Sequence, residues 1–187
     1  MNDLADDLLA FWFDPEHEPR DVWFRKDPAF DAVIRTRYQP AVEEALAGGY
    51  DAWRQEARGT LALLLLIDQF TRNIYRDTPR AFAGDARALP VAEAAIAAGQ
   101  DLLLRPYERT FVYLPFEHAE NLAAQERGVE HVARLESETG LRGLLEWSEK
   151  HATVIRRFGR FPHRNSILGR ASTPEELEFL TQPGSRF

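Results

Sequence analysis

The chain contains no cysteine among its 187 residues. This absence excludes disulfide bonds, thiolate zinc sites, iron–sulfur clusters and cysteine nucleophiles. Lysine is scarce as well, because only Lys26 and Lys150 occur beside 21 arginines. A nucleotide bias in the genome would give the same ratio. The number of arginines therefore indicates nothing about function, and only their clustering with other polar residues does.

Long apolar runs are also absent. The longest, Leu61–Ile67, has seven residues, whereas a membrane-spanning helix needs about 20. The N-terminal segment Met1–Asp7 is acidic where a secretory signal would be basic. The net charge of −7 and a pI near 5.3 disfavour attraction to nucleic acid and to anionic membranes. We therefore expect a cytoplasmic protein that binds neither.

No segment alternates apolar and polar residues with a period of two, so strands are not required. Helical spacing, capping residues and the Gly and Pro positions instead predict helices throughout the chain. We expect these helices over residues 4–13, 28–47, 58–76, 86–98, 106–138, 141–158 and 174–180. Pro40 and Pro90 are expected to kink or divide their helices, and Pro115 to kink or restart its own. The prediction is one all-α domain, residues 1–187, of about seven to nine helices in antiparallel, tetratricopeptide-like hairpins.

The most hydrophobic helix ends in a polar stripe. Asp68, Arg72 and Arg76 follow one another at spacings of four, while Gln69 and Asn73 form the neighbouring row. One interpretation is an Asp68–Arg72 ion pair with Arg76 complementing the helix dipole. The other is that Arg72, Asn73 and Arg76 project into a cavity where helices diverge.

A second polar cluster, Glu117-His118-Ala119-Glu120, lies in an apolar neighbourhood. Buried carboxylates and imidazoles need partners, and the arginines are natural ones. His151, on the last long helix, could point to the same region. Each of these histidines taken alone is more often structural than catalytic.

The segment Arg156–Arg170 contains five arginines and His163 but no acidic residue. Guanidinium forks match carboxylates and phosphates, so this segment resembles an anion-facing loop anchored by aromatic residues. The alternative is a connector whose arginines bond helix carbonyls and surface acids.

Several catalytic motifs are missing. A ferritin-like metal centre needs Glu three positions before a histidine, and none of the five histidines has Glu there, which excludes this centre. The motifs His-Glu-x-x-His and Gly-x-Ser-x-Gly and the phosphate-binding glycine motifs do not occur either. Arginine would also repel a cation. We expect no metal, no cofactor and no nucleotide hydrolysis.

These clusters lead to one functional hypothesis. Arginines of a shared pocket hold a small anionic or polar ligand and Asn165 orients it; if catalysis occurs, His118 or His163 carries the proton, with Glu120 setting the tautomer. The predicted pocket residues are Asp68, Arg72, Asn73, Arg76, His118, Glu120, His151, Arg160, His163, Arg164, Asn165 and Arg170. The alternative is an interaction module whose helical hairpins bind an acidic peptide or a protein partner.

Three motifs carry a resemblance to a known family: Asp68-Gln69-Phe70-Thr71-Arg72-Asn73, Leu114-Pro115-Phe116-Glu117-His118-Ala119-Glu120 and Phe158–Arg170. With Phe11-Trp12-Phe13, Trp23-Phe24 and Ser172–Glu176, the chain resembles the bacterial domain-of-unknown-function 924 family along nearly its whole length. The resemblance implies one all-helical domain similar to tetratricopeptide-like folds. It implies no established activity, cofactor or catalytic residue.

Overall fold

The computed structural model describes residues 3–186, and all regular structure within them is helical. The predicted all-α class is therefore confirmed. Short 3₁₀ turns connect eight helices, of which α3 is a continuous run of two α-helical parts and one π-helical part. The helices are α1 Asp3–Trp12, α2 Pro28–Leu46, α3 Ala57–Leu64 with Leu65–Phe70 and Thr71–Ile74, α4 Asp85–Ala97, α5 Pro106–His118, α6 Leu122–Thr139, α7 Leu144–Phe158 and α8 Pro174–Phe179.

The contacts between residues group the chain into two compact units. The first unit holds the residues up to Arg76 together with Arg80–Pro115, and the second holds Asp77–Pro79 and the residues from Phe116 onward. The boundary falls inside α5. The single domain expected from the sequence stays a prediction.

The helix boundaries follow the capping residues more closely than the prolines. Asp27 caps α2 by accepting hydrogen bonds from the N–H groups of residues 29 and 30. Of the two effects expected of Pro40, division of α2 is wrong because the helix continues through it, whereas a kink stays a prediction. This proline lies on the exposed face, where water can solvate the backbone groups it leaves unbonded. α5 likewise continues through Pro115 to His118. The next helix starts after Asn121, whose side chain accepts from the N–H of Ala124 at 2.9 Å.

α3 is the central helix of the first unit. Every residue of Leu61–Ile67 is fully buried, as the absence of a polar face predicted. Its middle part, Leu65–Phe70, is π-helical, which the apolar pattern did not indicate. π-turns are rare and often lie at functional sites. Among residues 3–186 no helix combines the length and apolarity that crossing a bilayer requires.

Gly84 lets α4 approach the π-helical part of α3. A Cβ atom at this position would lie 1.8 Å from the carbonyl oxygen of Ile67 and 2.7 Å from its carbonyl carbon. Because both atoms belong to the backbone of the central helix, neither can move aside cheaply. The close approach positions Asp85, the first residue of α4, beside the end of α3.

Aromatic side chains fill the core of the first unit around Trp12, the last residue of α1. This side chain is fully buried, and its ring lies 5.3 Å from that of Phe70 and 5.7 Å from that of Phe111. Trp23, from the segment after α1, adds a further edge-to-face contact with Phe111 at 5.0 Å. Such pairs contribute about 0.5–1.5 kcal/mol each beyond the apolar area they bury.

The second unit is built on an antiparallel pair, α6 and α7. Gly140, with φ of +79°, ends α6, and Gly143, with φ of +89°, precedes α7, so this helix starts three residues later than expected. Phe161 follows α7 and is fully buried against Val154 and Ile155.

We expect Gly84→Ala to lower the free energy of unfolding by about 3 kcal/mol, because the methyl group overpacks against an immobile backbone. Alanine adopts the φ of −91° found here without strain, so the cost is steric. Urea denaturation followed by circular dichroism measures it.

Gly140→Ala is the matched control. This glycine has a left-handed backbone but open space around its Cβ position, so the change should cost only about 1 kcal/mol of conformational strain. A loss for Gly84→Ala no larger than that of the control would contradict the close approach.

Candidate functional site

The polar stripe of α3 is neutralised by carboxylates of the same unit. Arg72 Nη1 lies 3.2 Å from Oδ1 of the buried Asp68, and Nη2 lies 2.9 Å from Asp85 Oδ1. Burial alone would lower the pKa of Arg72, but the two carboxylates raise it above its ordinary value. The structure therefore contains the ion pair that was one of the two interpretations of this stripe.

Asn73 and Arg76 both bind Asp31 of α2. The Asn73 amide donates to Asp31 Oδ1 at 2.7 Å. Arg76 donates from Nε to Oδ2 at 2.8 Å and from Nη2 to Oδ1 at 2.9 Å, which makes a bidentate ion pair. These bonds connect α2 to the end of α3. The sequence did not indicate Asp31, because an acid in the first turn of a helix is common for dipole reasons alone.

In the second unit, Glu120 and Arg170 form the first part of a hydrogen-bond network. Arg170 donates from Nη1 to Glu120 Oε2 at 2.5 Å and from Nη2 to Oε1 at 2.8 Å. The N–H of Phe161 donates to the same carboxylate at 2.7 Å, and Arg170 Nε donates to Asn165 Oδ1 at 2.9 Å. Burial would raise the pKa of Glu120, but the bonds from Arg170 and Phe161 lower it.

Asn165 extends this network to Glu176. Its fully buried amide donates to Ser172 Oγ at 3.0 Å and to Glu176 Oε2 at 3.2 Å. Arg160 donates to both Glu176 oxygens, at 2.7 and 2.8 Å, and these bonds hold the pKa of Glu176 at about 2. Glu176 also completes the predicted capping box of α8 with Thr173.

The remaining candidates of the second unit surround the ring of Phe161. The rings of His151 and His163 lie 5.8 and 5.6 Å from it, and the Arg164 guanidinium lies 4.5 Å above it. Arg164 is only 6% exposed and donates to the carbonyl oxygen of His118 at 3.1 Å. A cation and two imidazoles thus share one aromatic ring.

The histidines are placed for packing more than for proton transfer. Burial, with the positive charges of Arg164 and His151, lowers the pKa of His163 to about 3. His163 is therefore neutral at physiological pH, which disfavours it as a proton carrier. His151 Nδ1 lies 2.8 Å from the carbonyl oxygen of Trp147 and 3.7 Å from Glu117 Oε2. Within residues 3–186 no three His, Cys, Asp or Glu side chains are arranged to hold a metal ion.

The twelve predicted pocket residues thus divide between the units. Four lie at the end of α3 in the first unit, and eight lie in the second, where hydrogen bonds and ring contacts connect them. That all twelve line one pocket stays a prediction. Their paired guanidiniums act as internal cross-links, because each already holds a carboxylate of its own unit; they are Arg72, Arg76, Arg160 and Arg170.

A groove in the first unit contains three arginines that the sequence did not single out. Its volume is about 430 Å³, within the range of ligand sites. Arg20, Arg58 and Arg105 line it together with apolar side chains that include Phe11 and Phe13.

Two of these arginines are held by buried carboxylates. Glu108 is 3% exposed and lies 3.3 Å from Arg58 Nη1 and 3.1 Å from Arg105 Nη2. Arg105 also binds Glu18, with its two Nη atoms 3.2 Å from the two carboxylate oxygens. Glu108 further accepts from the N–H of Arg105 at 2.9 Å. These bonds fix the guanidiniums of Arg58 and Arg105 at the groove.

Arg20 is held differently. Its Nη1 donates to the carbonyl oxygens of Phe11 and Trp12, at 2.7 Å each. These carbonyls end α1, where no further helical N–H group is available to bond them. Among residues 3–186 no carboxylate lies within 4.0 Å of this guanidinium, and no acceptor bonds its Nε or Nη2. Arg20 therefore brings an uncommitted pair of donors to the groove.

The groove was missed because its arginines stand alone in the sequence. Arg20 follows Pro19, Arg58 lies in the first turn of α3, and Arg105 precedes Pro106. No local signal marked them. Arg58 and Arg105 lie at the starts of helices, where the unbonded backbone groups are N–H donors, and Arg20 reaches the carbonyls of a helix that ended eight residues earlier. Clustering within one segment does not reveal a site assembled from three.

We expect Glu176→Gln to destabilise the protein by on the order of 2 kcal/mol at pH 7, because the Arg160 charge and the Asn165 amide lose a charged acceptor. The folded-state pKa of Glu176 is depressed to about 2, so its contribution is present above the unfolded value and is lost as the pH falls from about 4.5 towards 2. Urea denaturation at pH 7 and pH 3 should show the two proteins converging at the lower pH.

The neighbouring Glu175→Gln serves as the control. Glu175 pairs with Arg157 at 2.9 Å, but it is exposed, so its removal should cost less than about 0.5 kcal/mol. A stability difference for Glu176→Gln that is the same at both pH values would contradict the ion-pair assignment.

Comparisons with known proteins agree with this fold. The profile of DUF924, described as a bacterial protein of unknown function, matches residues 8–184. A solved structure of a protein of unknown function from Agrobacterium tumefaciens is 43% identical, with a TM-score of 0.85, covering 95% of this chain and 96% of that chain. No curated protein matches significantly. Since the profile spans nearly the whole sequence, the chain belongs to the DUF924 family of bacterial proteins of unknown function.

Proposed function

We propose that the protein binds a small anionic ligand in the groove lined by Arg20, Arg58 and Arg105. The observation that carries this proposal is the state of Arg20. Its Nε and Nη2 donors have no acceptor among residues 3–186, although both carbonyl bonds hold the side chain in place. Adjacent N–H groups of a guanidinium bind carboxylate or phosphate oxygens through two parallel hydrogen bonds.

The surroundings of Arg20 support this assignment. Arg58 and Arg105 line the same groove, and their ion pairs with Glu108 and Glu18 hold their guanidiniums in place there. Apolar side chains exclude part of the water, which strengthens an electrostatic contact relative to one on an open surface. A rigid, partly apolar cleft with few polar groups is the usual form of a small-molecule site.

The pocket predicted from the sequence is the second candidate location. Its support comes from the second unit, where Arg164 is buried beside His151 and His163 on the ring of Phe161. The guanidinium of Arg164 is the positive charge of this group, and an anion could offset it. We rank it below the groove because Arg160 and Arg170 already hold Glu176 and Glu120, whereas Arg20 of the groove bonds only two carbonyl oxygens, through Nη1.

An interaction module is the alternative function. The helical hairpins would then form a tetratricopeptide-like surface for an acidic peptide or protein partner. Trp147 of α7 supports it, because this side chain is 54% exposed and carries the Lys150 ammonium 4.4 Å from its ring. The acidic net charge supports the further proposal of no nucleic-acid partner. The cytoplasmic location, which rests on the acidic N-terminal segment and the short apolar runs, is likewise a proposal.

We expect small carboxylates or inorganic phosphate to raise the melting temperature, since a ligand at 100 times its dissociation constant stabilises the folded state by about 2.7 kcal/mol. Arg20→Gln should weaken the binding at least about tenfold, because a charge-assisted fork is lost. Isothermal titration of the full chain gives the dissociation constants.

Two further variants make this experiment specific. Arg156→Gln changes an exposed arginine of the second unit and should leave the affinity unchanged. Arg164→Gln tests the second candidate location. Binding that survives Arg20→Gln but is lost in Arg164→Gln would move the site to the second unit, and binding unaffected by either would reject both locations.

A further inference from the structure

We infer that the ligand of the groove is a monocarboxylate that carries an aromatic or aliphatic hydrocarbon group. This inference rests on the proposed function and narrows it from small anions in general to one chemical class. Three features of the groove lead to it: the make-up of its wall, the geometry of its uncommitted donors and its balance of charge.

Half of the residues that line the groove are apolar. Of the ten lining residues five are charged and five are apolar, the latter being Leu9, Ala10, Phe11, Phe13 and Pro15. Phe13 is also covered on one side by the guanidinium of Arg105, 5.8 Å from its ring centre. A simple inorganic anion would leave this apolar surface in contact with water. A ligand with a hydrocarbon group would cover it and gain binding free energy in proportion to the area buried.

The uncommitted donors select a planar pair of oxygens. Because Arg20 uses Nη1 for both of its carbonyl bonds, the edge formed by Nε and Nη2 is the one left for a ligand. Two N–H groups on one edge of a guanidinium point in parallel, and the two oxygens of a carboxylate accept them in the same plane. A hydroxyl or a single carbonyl would have to share one oxygen between both donors, as Glu175 Oε1 does with Arg157, instead of offering one oxygen to each.

The charges of the groove favour a single negative charge on the ligand. The lining contains three guanidiniums, of Arg20, Arg58 and Arg105, and two carboxylates, of Asp14 and Glu108. A third carboxylate, of Glu18, pairs with Arg105 but is not part of the lining. Asp14 also lines the groove, and the hydrogen bond with His17 lowers its pKa below the ordinary value, so it is ionised at neutral pH. A dianionic phosphate would meet more repulsion from these acids than a monocarboxylate would.

Benzoate, cyclohexanecarboxylate, acetate, inorganic phosphate, phenyl phosphate and benzamide form the test series. We expect isothermal titration of the full chain to show benzoate and cyclohexanecarboxylate binding at least about tenfold more tightly than acetate, because the ring covers the apolar wall. Phenyl phosphate should bind more weakly than benzoate owing to its second charge, and benzamide should bind more weakly because it lacks the carboxylate.

Ala10 offers a variant that changes the wall alone. This residue is exposed on α1 and lines the groove, and glutamine is a good helix former. Ala10→Gln should weaken benzoate binding about tenfold and leave acetate binding unchanged, because only the hydrocarbon contact is altered. Ala123→Gln, at an exposed position of α6, is the matched control and should change neither.

The outcomes separate this inference from the function on which it rests. If acetate and benzoate bind equally and both depend on Arg20, the anion site stands and the hydrocarbon requirement is wrong. If phosphate or phenyl phosphate binds more tightly than benzoate, the single-charge requirement is wrong. If no member of the series binds, or if Arg20→Gln changes nothing, the proposed function itself fails.

Discussion

Pairing of arginine with buried carboxylate is the interaction on which both units depend. In the first unit, Asp31 joins α2 to the end of α3 through Arg76, and Asp85 joins α4 to the same helix through Arg72. Each pair brings together segments distant in sequence. Removing one partner of a buried pair leaves an uncompensated charge, at a cost of about 3–5 kcal/mol. The forked geometry matters as much as the charge, because an ammonium group cannot offer two parallel donors in a fixed plane.

The same pairing explains how a basic segment can be accommodated in an acidic protein. Three of the five arginines of Arg156–Arg170 bind carboxylates outside that segment: Arg170 binds Glu120, which precedes α6, Arg160 binds Glu176 of α8, and Arg157 binds Glu175. These bonds connect the segment to Glu120 before α6 and to Glu176 in α8, which lie on either side of it in the sequence of the second unit. A cluster of like charge in the sequence is thus a set of cross-links in the fold, and local charge density alone does not distinguish a ligand site from a structural network.

Local signals in the sequence predicted much of the fold. Asp27 with Pro28 and Thr173 with Glu176 are capping patterns that depend on neighbouring residues only, so α2 and α8 began where expected. The π-helical part of α3 and the close approach of Gly84 depend on contacts between helices, for which the periodicity of one segment carries no information. The same distinction between local patterns and contacts across the fold applies to the candidate site. Clustering revealed Arg160, Arg170 and Asn165, and also Glu120, which binds Arg170. It did not reveal Glu176 as the partner of Arg160, nor the groove arginines, which come from three separate segments.

Arg20 has a thermodynamic consequence for recognition. A free arginine side chain samples many rotamers, and ordering such a side chain on binding costs about 0.5–1.5 kcal/mol. Here the two carbonyls at the end of α1 have already selected one rotamer through a single nitrogen. The entropy of that selection is lost when the chain folds, before any ligand arrives. The carbonyls at the end of α1 thus hold the Arg20 guanidinium in place, while its Nε and Nη2 donors stay available for the ligand that we propose.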